Sequence, residues 1–145
     1  MGSSLMKKNI FVMLLLSLAW LSSAHAASNA APMPGILANA RFVYVTAYDG
    51  DQFDPRLLPE DRAAIGRVED AIQKWGKLSV VYRQQDADVV LAVESRPSED
   101  VLAVYDAHSG PSQNYLWRVM GRGGLQKSEM PLFSQFENAW EKIAR

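Results

Sequence analysis

The chain has 145 residues, a formal net charge of −1 and no cysteine. This length fits one domain, and the near balance of 15 basic and 16 acidic residues gives no electrostatic footprint for binding nucleic acid. The lack of cysteine excludes disulfides and a cysteine-linked lipid anchor.

Residues 1–26 have the composition of a cleavable export signal. Lys7 and Lys8 precede an apolar stretch at residues 10–21. A membrane-spanning helix needs about 20 apolar residues, so this stretch is too short to be an anchor. Ala24 and Ala26 form the A-x-A pattern that signal peptidase accepts. We therefore expect cleavage after Ala26, export to the periplasm or the medium, and no membrane span in the mature protein.

The expected mature chain begins at Ala27. Loss of Lys7 and Lys8 leaves 13 basic residues against 16 acidic ones, a net charge of −3. An exported protein without cysteine suits a bacterial periplasm or medium. Residues 27–40 are small and contain proline and glycine, which is typical of a flexible leader, and a single domain is expected over residues 41–145.

The first half of this domain has the pattern strand, helix, strand. Residues 41–48 alternate β-branched and aromatic side chains, as a strand does. Pro59–Trp75 has an apolar stripe at helical spacing and is followed by Gly76, a typical helix stop. Residues 78–82 form a short second strand. Two strands that flank a helix predict a right-handed parallel crossover.

The second half predicts three more strands and a terminal helix. Residues 87–95 are continuously apolar in their middle, so we expect a central strand that is covered on both faces. Residues 101–105 and 115–120 follow after short connections, as in an antiparallel meander. Residues 131–144 form a helix with an aromatic stripe.

The order β-α-β-β-β-β-α predicts an α/β (α+β) fold, in which two helices pack on a five-stranded mixed sheet. The pattern leaves open whether both helices share one sheet face.

Residues 87–110 and the helix end before them resemble known envelope domains. The strings ADVVLAVES and VLAVYDAHSG, preceded by AIQKWGKLSVV, resemble the N-terminal domain of TolB. They also resemble related outer-membrane lipoproteins that activate peptidoglycan synthases or assist curli secretion, and secreted bacterial proteins that share the hairpin pattern. The likeness spans residues 41–117, and the matching hairpin residues are Asp106, Ser109, Gly110 and Trp117. The chain lacks the acylated cysteine of the lipoproteins. The resemblance implies a non-enzymatic domain that contacts other proteins, and it carries over no catalytic residues, cofactor or metal.

The predicted contact surfaces are the free sheet edge and the polar loop at residues 106–114. The contact residues are Asp106, His108, Ser109, Gly110 and Trp117. Three of these are the residue types of a hydrolase triad, but they lie in one short loop without a nucleophile elbow. An Asx or ST turn is the alternative interpretation.

Three acidic residues after the first strand are weak calcium candidates. Asp49, Asp51 and Asp54 supply the carboxylate oxygens that calcium prefers. Their spacing does not match an EF-hand, and a solvated turn is the alternative.

We therefore expect an exported, non-enzymatic binding or accessory domain that contacts another envelope protein. One alternative is a small envelope hydrolase that uses acidic residues such as Asp49, Asp51 and Asp106. Another is a structural protein that associates with itself. A hydrolase should show carboxylates converging in a cleft, whereas a contact domain should show a flat, partly apolar patch or an uncovered edge.

Overall fold

A computed structural model describes residues 30–109 and 114–144 of the chain. The strands are β1 (Phe42–Ala47), β2 (Ser79–Val81), β3 (Val89–Ser95), β4 (Asp100–Asp106) and β5 (Trp117–Gly121); the helices are α1 (Pro59–Trp75) and α2 (Pro131–Ile143). They form a mixed sheet of order β2-β1-β3-β4-β5 with two helices, which confirms the predicted α/β fold and element order. The predicted signal, residues 1–26, lies outside the described residues.

Parallel and antiparallel pairing divide the sheet as the connections predict. β1 pairs in parallel with β2 and also with β3. β3, β4 and β5 form the antiparallel meander. The most apolar strand, β3, occupies the middle of the sheet, because it is the only one whose two neighbours are themselves inner strands.

Helix α1 begins and ends where its sequence predicts. Pro59 occupies its first turn, where the missing N–H costs little. Gly76 adopts the left-handed conformation (φ 75°), and its N–H donates to the carbonyl of Ile72 at 2.9 Å. Ile65, Val68 and Ile72 are fully buried and hold the helix on the sheet.

Both helices pack on the same face of the sheet. One core cluster contains helix residues together with alternate strand residues such as Val45, Leu91 and Val104. The strand residues in between belong to the other face, where the described apolar cluster around Val90 contains no residue of either helix. β3 is buried on both faces, as its continuous apolar run predicts, but the two described helices cover only one of them. Val90 is buried on the second face by side chains of the sheet and its loops.

Aromatic contacts join α1, α2 and β5. The ring of Trp75, at the end of α1, packs edge-on against Phe133, Phe136 and Trp140 of α2 with centroids 5.6–6.2 Å apart. Phe136 in turn packs against Trp117 of β5. Perpendicular ring contacts of this kind add to the free energy gained from burial alone.

The segment expected to be a flexible leader contributes to the core from residue 30 onward. Gly35–Asn39 forms a 3-10 helix, and Met33 and Leu37 are 4% and 5% exposed. The indole N–H of Trp117 donates to the carbonyl of Ala31 at 2.7 Å. This corrects the expectation for residues 30–40. The two apolar residues are four positions apart, a signal too short to count as periodicity.

Candidate functional site

One face of the sheet is left uncovered by the helices and is the candidate functional surface; we call it the open face. The pairing register places three rows of side chains on it. The rows are Tyr44, Val90 and Tyr105; Thr46, Ala92, Ala103 and Arg118; and Glu94, Val101 and Met120. Among the described residues, the open face is therefore apolar at its centre and polar or aromatic at its margins.

Small residues form the floor of the open face. Ala92 and Ala103 are directly paired on β3 and β4 and are 5% and 0% exposed. Larger side chains stand at the margin, where Met120 is 46% exposed and Phe42 is 44% exposed. Met120 on β5 and Phe42 on β1 are separated by β3 and β4, so they lie at different margins of the face.

Tyr48 and Tyr105 form a bridge over β3. Tyr48 follows β1, and Tyr105 lies two strands away on β4, yet their hydroxyls are 3.2 Å apart and their rings are nearly perpendicular. Burial raises the pKa of Tyr48, and the hydrogen bond with Tyr105 raises it further. The Tyr48 phenol therefore stays neutral at physiological pH and offers an uncharged, half-exposed ring.

Among the residues that the structure describes, the strands of the open face carry one cation and one anion, on opposite sides of β4. Glu94 pairs with Val101 from β3, and Arg118 pairs with Ala103 from β5. Arg118 stacks over the ring of Tyr115 at 5.6 Å and has no ion pair among the described residues. Both charges act on the pKa of Tyr48: Arg118 lowers it and Glu94 raises it. This agrees with their placement around one surface.

The predicted contact loop is an Asx turn in its described part. The carboxylate of Asp106 accepts the backbone N–H of His108 at 3.0 Å and the hydroxyl of Ser109 at 3.1 Å. In a hydrolase triad the imidazole lies between the acid and the nucleophile, whereas here the serine bonds the acid directly. Gly110 lies outside the described residues. The expectation that Trp117 is a contact residue is wrong, because it is 1% exposed in the core.

The weak calcium candidates bind separate partners. Asp49 pairs with Arg96 at 3.1 Å, Asp51 accepts the N–H of Phe53, and Asp54 accepts the N–H and guanidinium of Arg56; each is a turn or ion-pair contact. Within residues 30–109 and 114–144, no three histidine or acidic side chains are grouped so that they could hold a metal ion. The structure therefore does not bring these carboxylates together.

The acidic residues of the hydrolase alternative lie at opposite ends of the sheet. Asp49 and Asp51 follow the end of β1, while Asp106 ends β4 beside Val89, at the start of β3. Since β4 runs antiparallel to β1 and β3, the length of β1, roughly 20 Å, separates them. They do not converge on one substrate.

A buried polar network at the β3–β4 turn was missed by the sequence interpretation. Asp61 is 1% exposed and accepts the N–H of Ser95 and the guanidinium of Arg96, each at 2.8 Å. Asp100 is fully buried and accepts the hydroxyl of Ser95 and the N–H of Leu125. These bonds use both carboxylates to fasten the turn to α1 and to the loop before α2, so we regard the network as structural.

One signal could have pointed to this network. Asp100 opens an apolar strand, and an acid in that position needs partners if the strand is buried. Its partner Leu125 lies 25 residues further along the chain and donates its backbone N–H. Any residue except proline could do this, so the sequence at that position does not indicate the contact.

The sheet edges, predicted as contact surfaces, are β2 and β5. β2 has three residues and β5 has five. β5 also brings Arg118 and Met120 to the open face, so this edge and the open face form one continuous surface. Neither described helix is long and apolar enough to cross a membrane. Comparisons of the chain with protein families, with curated proteins and with solved structures gave no match.

Proposed function

We propose that the mature chain is an exported, non-enzymatic domain that acts at the bacterial envelope by contacting a protein through its open face. The observation that carries this proposal is the sheet face opposite the two described helices, where exposed side chains of Tyr48, Arg118 and Met120 surround a buried centre. The contact interpretation requires a surface of this kind. The hydrolase interpretation requires carboxylates that converge in a cleft instead.

The composition of the open face supports a protein as the occupant. Tyrosine, methionine and arginine are enriched in protein interfaces, and here Tyr48, Tyr105, Met120 and Arg118 surround an alanine floor. The centre of the open face is 0–6% exposed at Val90, Ala92 and Ala103, so the side chains at its margin are the ones that a partner reaches. The partner surface that fits carries charges opposite to Glu94 and Arg118.

The acidic residues give no comparable support for hydrolysis. Asp49, Asp51 and Asp106 each satisfy a turn or an ion pair, and they lie at two ends of the sheet. The resemblance to the N-terminal domain of TolB and to envelope lipoproteins favours the same class of function, a domain that contacts proteins. Export itself rests on the lysines, the apolar stretch and the A-x-A pattern of residues 1–26.

Site-specific photocrosslinking in intact producer cells tests the proposal. A photoreactive amino acid at Met120 is on the open face, and the same group at Gln73 is an exposed control on α1. We expect a protein adduct, identified by mass spectrometry, from position 120 and not from position 73. Equal labelling at both positions, or none at position 120, would contradict contact through the open face. Recovery of the protein from the cytosol with residues 1–26 attached would contradict export.

A further inference from the structure

We infer that the partner binds by adding an extended, acidic segment to the sheet as a further strand beside β5. This inference rests on the proposed contact function, because β5 forms one margin of the open face, and it names the mode of contact. Two observations carry it. Within the described residues the outer edge of β5 has no hydrogen-bond partner, and the part of the chain that contains β5 is basic.

β5 is the sheet edge that offers the longer row of backbone groups. It ends the strand order and, among the five strands, pairs with β4 alone. Alternate residues of an edge strand turn their backbone N–H and C=O groups away from the sheet. In the described part of the chain, no turn, loop or side-chain group bonds the backbone of residues 117–120. The outward groups are therefore open to pairing with an extended peptide.

The side chains of β5 fix this edge in place for a partner. Trp117 and Val119 are 1% and 6% exposed, so the core anchors the strand on its helical side. Arg118 and Met120 alternate with them and are exposed on the open face. An added strand would therefore place alternate side chains directly beside Arg118 and Met120. β2, the other edge, has only three residues and offers fewer groups.

The charge around β5 selects an acidic segment. Residues 107–128 contain Arg118, Arg122 and Lys127 and no aspartate or glutamate. The chain has 15 basic and 16 acidic residues, so the rest of it has 12 basic residues against all 16 acidic ones. Arg118 and Arg122 are exposed and form no ion pair among the described residues. A carboxylate on the added strand can pair with either guanidinium.

The same charges disfavour a second copy of the chain at this edge. Two copies of β5 side by side would bring Arg118 and Arg122 of both copies into one short stretch of sheet. Like charges on paired strands are destabilising, whereas a carboxylate opposite an arginine is favourable. Because these charges are exposed, we expect added salt to weaken binding of the acidic segment.

Nuclear magnetic resonance of the isotope-labelled mature chain, titrated with designed peptides, tests the inference. The probe is a seven-residue peptide of alternating valine and glutamate. We expect it to shift the amide signals of residues 117–121 and to slow hydrogen exchange of the outward β5 amides, because strand pairing protects them. A peptide of alternating valine and lysine should bind roughly tenfold more weakly or worse. So should the acidic peptide with methylated backbone nitrogens, because it keeps the charges and loses its N–H donors.

Charge variants show whether the β5 edge is the site. R118E should weaken binding of the acidic peptide by roughly tenfold or more and improve binding of the lysine peptide, because it reverses the charge beside the added strand. K77E makes the same charge change on an exposed residue before β2, the opposite edge of the sheet, and should leave both affinities nearly unchanged. Circular dichroism confirms that both variants are folded before the affinities are compared.

An acidic peptide that does not bind at millimolar concentration, or that binds without protecting the β5 amides, would overturn strand addition. Equal binding of the methylated peptide would assign the attraction to charge alone and overturn it as well. Protection of the β5 amides that rises with protein concentration, without peptide, would make a second copy the occupant instead. The Met120 adduct tests the contact function separately. A protein adduct at that position, together with any of these results, leaves contact standing and removes only strand addition.

Discussion

At the scale of single residues, Gly124 is required by close packing. It is buried beside α2, and a methyl group on its α-carbon would overlap the side chain of Leu132. We predict that G124A lowers the free energy of unfolding by about 1–3 kcal/mol, because a packed core has no room for the added atom. G66A is the matched control: Gly66 lies inside α1 with open space around it, and alanine there should raise stability by about 0.5–1 kcal/mol. Urea denaturation measures both, and a G124A protein as stable as the unchanged chain would contradict this packing.

Asp88 links the start of β1 to β3 through its side chain. Its carboxylate accepts the backbone N–H groups of Arg41 and Phe42 at 2.8 and 3.0 Å, and these bonds hold the pKa of Asp88 below its usual value. A lowered pKa means that the folded state favours the carboxylate. The resulting stability is present above pH 3.8, the ordinary value, and is lost as the pH falls through the folded pKa.

We therefore predict that D88N is less stable than the unchanged chain at pH 7, by about 1 kcal/mol, since the amide oxygen is a weaker acceptor than a carboxylate. The difference should shrink as the pH falls below 3.8. Thermal melts from pH 7 to pH 3 measure it. A difference that is constant over this range would assign the effect to something other than the ionised carboxylate.

At the scale of elements, local signals located the helices well and the strand ends less well. Proline at the start and glycine just past the end gave the bounds of α1, because these residues act on the backbone where they stand. The third strand was expected from residue 87, whereas β3 begins at Val89. Strand ends depend on where a neighbouring strand stops pairing, which is information from elsewhere in the chain.

The 3-10 helix Gly35–Asn39 is an element that the sequence did not reveal, and it predicts a measurable asymmetry. Leu37 is 5% exposed and its neighbour Ile36 is 80% exposed. We predict that L37A lowers the free energy of unfolding by about 2–4 kcal/mol, because it leaves a cavity in the core, whereas I36A changes it little. Urea denaturation compares the two variants. Equal, small effects would mean that this segment detaches from the core in solution.

At the scale of the whole molecule, the sequence predicted the layers but not the site. Alternating residues showed that each strand has two faces, and the apolar stripes showed that each helix covers one. Whether α2 joins α1 or covers the opposite face is decided by contacts such as Trp75 with Phe133 and Trp140, which lie some 60 residues apart in sequence. The open face has no helix on it because α2 packs beside α1. The sequence alone therefore could not show that Glu94 and Arg118 lie on the same surface.

At the same scale, the segment before β1 is structural. Removal of residues 27–40 would take Met33 and Leu37 from the core and the carbonyl of Ala31 from Trp117. Two buried side chains at about 2–4 kcal/mol each approach the whole stability of a small domain, about 5–15 kcal/mol.

We therefore predict that residues 27–145 melt cooperatively, and that residues 41–145 are largely unfolded at 37 °C. Near-ultraviolet circular dichroism follows this difference through Trp117, whose indole loses its acceptor and its packing in the shorter chain. A cooperative transition at an unchanged temperature for residues 41–145 would contradict the structural role of the segment. The expected result would show that the folded domain needs part of residues 27–40, in which Met33 and Leu37 belong to the core.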